Sequence, residues 1–228
     1  MRLQDFEYVM STPRMVRYRV SCGGNTQKAM TLYRRNLKLS QELFTIISCF
    51  EVTLRNAIDR HCSQQLGMDW LRDAVMTGGI FDNSHCIHTA TAIRDVLRTL
   101  GPPYYSNSKL VAGLGFGFWR YLFSRHQYRA TGQQLLNIFP ARPQSTSTTQ
   151  YNALYIFNEL AQINHLRNRI AHHEPICFLP RQPVKDTGYA RYHYSLLLQL
   201  FQWMSVNEHE VLYGLDHIDR ICDEMDVL

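Results

Sequence analysis

No run of 18 apolar residues occurs in this chain of 228, so the sequence offers no segment that would span a bilayer. The N-terminal MRLQDFEYVM has neither the long apolar core nor the cleavage signal of a secretory leader. The six cysteines, Cys22, Cys49, Cys62, Cys86, Cys177 and Cys222, include no C-x-x-C pair. Several stand in apolar helical patterns, where a thiol behaves as a small hydrophobe. A reducing, cytoplasmic setting without a disulfide framework is expected. Charge of one sign is nowhere concentrated: 24 basic and 19 acidic residues leave a formal net charge of +5 and no polybasic tail. That excess is compatible with a nucleic-acid partner and does not require one. Period-two alternation is missing too, so no strand is expected.

What the chain does have is helical periodicity and enough apolar residues, 45% with 12% aromatic, for a substantial core. Thr12-Pro13 reads as a cap followed by proline at the first helical position. After the break Cys22-Gly23-Gly24-Asn25, residues 26 to about 66 carry a seam of Met30, Tyr33, Leu37, Ser40, Phe44, Ile47, Glu51, Leu54, Ile58 and His61. Roughly forty residues would extend about 60 Å, so a bend near Ser40 is expected. Further helices are predicted over 83–100, 107–124, 132–139, 151–173, 192–205 and 207–225, separated by glycine, proline and Ser/Thr-rich segments such as 141–149. The fold class is all-α, a helical bundle in a single domain over 1–228, with core helices at about 26–66 and 151–173.

Two charges sit where these seams should be apolar. In the second core helix the seam Ala153, Ile156, Leu160, Ile163 continues into Arg167 before Ile170. A charge on a packing surface is costly unless it is paired or faces a cleft. His172 and His173 follow at the helix end, since Pro175 disfavours helical geometry at Glu174. A guanidinium beside titratable imidazoles suits phosphodiester chemistry: arginine clamps phosphate oxygens and stabilises transition-state charge, and histidine moves protons. The motif holds no carboxylate cluster suited to magnesium, and neither metal nor cofactor is expected. The plain alternative is that Arg167 pairs with a core carboxylate and the histidines cap a helix. Glu51 interrupts the other seam, with Arg55 four residues on. It reads either as facing the same polar cavity as Arg167 or as a buried ion pair. The triple glycine of GLGFGFW lacks the dinucleotide fingerprint and reads as a close-approach helix face. His85, Cys86 and His88 lack a second ligand cluster.

Arg167-Asn168 with His172 resembles the R-N-x-x-x-H signature of HEPN ribonucleases, and Glu51 with Arg55 resembles their second motif on an earlier helix. The ordered stretches AMTLYRRNLKLSQELF, FEVTLRNAI, LVAGLGFGFWRYLF, NIFP and LRNRIAHHEPI are similar to the Abi-like family of abortive-infection proteins. The resemblance implies a helical homodimer whose two Arg-His motifs form one composite RNA-cutting site. It implies a metal-independent endoribonuclease that uses the ribose 2′-hydroxyl, leaving a 2′,3′-cyclic phosphate and a 5′-hydroxyl. By the same token Arg167 and His172 are the catalytic pair, while Asn168, His173, Glu51 and Arg55 support the site. Which of His172 and His173 acts is left open. The implied role is phage defence through toxic RNA cleavage, with an antitoxin or regulatory partner. A non-catalytic module of the same fold, binding RNA or a protein, is the other reading.

Overall fold

Glycine and proline cut the chain into helices largely where the sequence places them. The computed structural model describes residues 2–228, and among these the helices are α1 (Leu3–Met10), α2 (Thr12–Ser21), α3 (Thr26–Leu66), α4 (Trp70–Asp73), α5 (Ile87–Leu100), α6 (Asn107–Gly113), α7 (Phe116–Tyr121), α8 (Arg125–Ala130), α9 (Ala153–Ala171), α10 (Gly188–Trp203), α11 (Glu208–Val211) and α12 (Ile218–Asp226). The fold is all-α. Extended backbone pairs only at an isolated antiparallel bridge between Phe178 and Lys185 among the described residues. None of their helices is long and apolar enough to cross a membrane.

Asn25 starts α3 by accepting the Lys28 N–H on its Oδ1 at 3.0 Å. The helix then runs for 41 residues without a break at Ser40. Its buried face is Leu32, Tyr33, Asn36, Leu39, Leu43, Ile46, Ile47, Phe50, Leu54, Ile58 and Cys62. The expected seam is therefore displaced by one residue through the middle of the helix: Leu37 and Phe44 are exposed, and Phe50 rather than Glu51 faces inward. The same correction applies in α9. Leu166 is fully buried, while Arg167 lies half-buried at the edge of the seam.

The expected helix over 107–124 is two helices, because Leu114 adopts extended backbone (ψ 125°) and its carbonyl accepts the Trp119 indole N–H at 3.0 Å. Gly113 permits a close approach, since a Cβ there would stand 2.5 Å from Val96 Cγ1 on α5. Instead of one helix over 132–139, α8 precedes a 3₁₀ turn at Leu135–Ile138. The last expected helix is likewise interrupted between α11 and α12.

The described chain divides into two compact units. One comprises residues 2–48, His165–Gln199 and Glu208–Leu228; the other comprises Cys49–Asn164 and Leu200–Asn207. In the first, Tyr18 packs edge-on against Tyr33 and Phe178 at 5.2 and 4.9 Å between ring centroids. In the second, Phe50 packs edge-on against Phe201 at 5.2 Å, around the fully buried Trp70, Trp119 and Phe123. The division points within α3, α9 and α10 all fall inside continuous helix.

Candidate active site

The end of α9 is shaped by a left-handed residue that is not glycine. His173 has φ 57°; its N–H reaches the Ile170 carbonyl and the Glu174 N–H reaches the Arg169 carbonyl, each at 2.9 Å. These are the paired bonds of a Schellman cap, a position that glycine normally fills. The backbone turn places His172 and His173 on the surface, and both are exposed.

Three side chains that the sequence reading missed hold this turn. Arg169 donates through Nε to Glu174 Oε2 at 3.1 Å and through Nη2 to the Pro175 carbonyl at 2.7 Å, while its Cζ lies 4.6 Å from the Tyr189 ring centroid. Arg14, on α2, donates Nη1 to the His173 carbonyl at 2.8 Å. Buried Asn36 on α3 accepts the Ile176 N–H on Oδ1 at 3.0 Å. A polar residue inside the α3 pattern was the available signal for Asn36; the arginines looked like ordinary surface charge.

Arg167, Asn168, His172 and His173 all belong to the first unit. Arg167 Nη1 lies 3.5 Å from Asn168 Oδ1, the long limit of a hydrogen bond, and no carboxylate stands within ion-pair distance of Arg167 among the described residues. The guanidinium therefore keeps donors to spare. Glu51 and Arg55 lie one turn apart on the portion of α3 in the second unit, both half-buried. Arg55 Nε is shielded from solvent without a hydrogen-bond partner.

Buried His193, on α10, has its pKa lowered, chiefly by desolvation and further by the Arg169 charge. Its Nδ1 is 2.8 Å from the Tyr189 carbonyl. His85 stacks on His126 at 4.3 Å between centroids rather than joining a metal cluster with Cys86, which is buried. Among the described residues no group of three or more His, Cys, Asp or Glu is placed to hold a metal ion. The six cysteines are free thiols.

Chemically, the segment offers an anion-binding guanidinium, an amide next to it, and two exposed imidazoles at the end of the same helix, His172 and His173. Comparison with protein-family models, curated proteins and solved structures finds no match for the chain.

Proposed function

We propose that the chain is an endoribonuclease of the HEPN, Abi-like type, cutting RNA through its own 2′-hydroxyl without a metal and acting as a toxin in phage defence. The observation that carries the reading is the exposed turn itself: Arg167 without a carboxylate partner, next to Asn168 and followed by His172 and by the left-handed His173. An arginine serving only a packing surface would be expected to carry a counter-charge.

In the proposed reaction one imidazole takes the proton of the 2′-hydroxyl, whose oxygen attacks the adjacent phosphorus. The P–O5′ bond breaks, and a second imidazole protonates the leaving oxygen. Arg167 stabilises the charge that builds on the non-bridging oxygens. One acting histidine per chain supplies one of the two proton carriers, so a two-fold dimer completes the set. An apolar groove of about 360 Å³ beside the turn, lined by Leu37, Phe44, Ile170, Ala171 and His173, supports such association. Leu37 and Phe44 are 41% and 38% exposed. Glu51 and Arg55 are assigned a supporting role.

The test uses matched RNA and DNA oligonucleotides in EDTA. The parent should cut RNA alone and leave a cyclic phosphate. Arg167→Ala and His172→Ala should each lose about 10²–10⁴-fold, the usual worth of a positioned proton carrier or charge stabiliser. DNA cutting, abolition by EDTA, or a fully active Arg167→Ala would reject the chemistry. A folded protein that binds RNA without cutting it would instead favour the non-catalytic module.

A further inference from the structure

A second cavity, of about 430 Å³, opens on the other side of the histidine turn. Its walls carry Arg14, Arg17 and Tyr18 from α2, and His172, His173 and Glu174 from the end of α9, all within the first unit. Its volume falls within the usual range for small-molecule sites, about 300–1,000 Å³. The charge on its walls is one-sided. Glu174, its carboxylate, is already engaged by Arg169 at 3.1 Å. Neither Arg14 nor Arg17 has a carboxylate within ion-pair distance among the described residues.

Both guanidiniums are nonetheless fixed in place. Arg14 Nη1 donates to the His173 carbonyl at 2.8 Å. Arg17 donates through Nε to the Gln182 carbonyl at 2.9 Å and through Nη2 to the Leu179 carbonyl at 2.6 Å, with its Cζ 4.6 Å from the Phe178 ring centroid. Carbonyl acceptors hold the groups but leave the positive charge uncancelled, and a guanidinium has five N–H donors, so each keeps donors free. Gathering two such cations beside two imidazoles costs free energy unless an anion is the intended occupant. Fixed guanidiniums are suited to phosphate oxygens, because little conformational freedom is lost on binding.

We propose that Arg14 and Arg17 form a phosphate-binding subsite that holds the RNA strand next to His172 and His173. This rests on the ribonuclease reading above and deepens it: the strand enters across α2, with a phosphate neighbouring the scissile one seated between the two arginines. Arg14 also links occupancy to geometry, since the same side chain grips the carbonyl of the left-handed His173. It acts as a substrate-binding and positioning residue and takes no part in proton transfer.

Fluorescence anisotropy of the full chain with a short single-stranded RNA, 2′-O-methylated throughout so that it cannot be cut, tests the subsite in EDTA over a range of salt. Arg14→Gln should weaken binding about tenfold, roughly one hydrogen bond to a charged group. It should also flatten the dependence of log affinity on log salt by about 0.7, the loss of one single-strand phosphate contact. Arg14→Lys should restore the slope. Arg17→Gln should behave like Arg14→Gln if its circular dichroism shows it folded; if it unfolds, the Arg14 pair decides. Arg98→Gln, which removes an exposed cation paired with Asp95 in the other unit, should leave binding unchanged. An Arg14→Gln protein with the parent's affinity and slope would overturn the subsite while leaving RNA cutting intact as a separate result. Binding that depends on Arg14 in a protein that never cuts unmodified RNA would keep the subsite and reject the catalytic reading. Failure of the parent to bind this RNA at all would overturn the subsite.

Discussion

His173 carries a backbone cost that glycine would not. A non-glycine residue in the left-handed region costs about 1–2 kcal/mol, and a Schellman cap works better with glycine. If only the cap mattered, glycine would be the better residue at this position. His173→Gly is therefore expected to raise stability by about 1 kcal/mol in thermal melts while lowering RNA cutting. A variant no more stable than the parent would show that the left-handed turn carries no strain to release. His193 gives a pH signature. Its folded pKa is lowered from 6.5 by burial, so the folded chain refuses a proton that the unfolded chain accepts. Its contribution is complete above about pH 6.5 and is lost as pH falls from there through the lower folded value. The parent's melting temperature should drop between pH 7.5 and 5.5 by more than that of His193→Gln, whose amide can still donate to the Tyr189 carbonyl. Equal drops in the two proteins would remove His193 from the account.

At the scale of elements, the buried faces of α3 and α9 show where the two charged anomalies moved. The seam drawn through residues 30 to 61 picks one of two adjacent positions at each turn, and adjacent residues on a helix stand about 100° apart, so one at the edge of the buried face is readily taken for part of it. Between Tyr33 and Leu54 packing selects the preceding neighbour at three turns. Asn36 replaces Leu37, Leu43 replaces Phe44 and Phe50 replaces Glu51. Glu51 and Arg167 thus flank their seams instead of interrupting them. The exchange at Asn36 has a purpose, because its Oδ1 satisfies the Ile176 N–H after the histidine turn, inside the protein. Asn36→Leu would complete an apolar seam on paper. It is expected to cost about 1–3 kcal/mol, the penalty for orphaning a buried donor, and to loosen the turn. Denaturant unfolding measures the first effect and RNA cutting the second; an unchanged unfolding midpoint would contradict the assignment.

For the whole molecule the open matter is assembly. Leu37 and Phe44, left outside the buried face of α3, form an apolar groove with Ile170 and Ala171 next to His173. A dimer that covers it would bring a second histidine turn into reach. Phe44→Lys replaces a partly exposed side chain and should leave the fold intact, shift the protein from dimer to monomer in light scattering, and reduce RNA cutting in parallel. A Phe44→Lys protein that remains dimeric and fully active would locate the interface elsewhere. A parent that is monomeric at working concentration yet fully active would remove the need for a composite site.

Much of this molecule follows from local chemistry alone. Helical periodicity with no alternation set the fold class; Gly23-Gly24 with Asn25 set the start of α3, and Gly101 with two prolines set the end of α5. Pro175 placed the two histidines at a helix end, because it disfavours helical geometry at the residue before it. These features depend on the backbone preferences of a few adjacent residues, so a linear sequence contains them. Tertiary structure decided which of two neighbouring residues faces inward on a long helix, since both stand near the edge of one face and only packing against other elements selects between them. It also decided the company of the histidine turn. Arg14, Arg17 and Asn36 lie far from His173 in sequence and reach it, or the loop beyond it, only through the packing of α2 and α3 in the first unit. No local pattern marks the two arginines, because what distinguishes Arg14 from any surface arginine is a carbonyl 159 residues away.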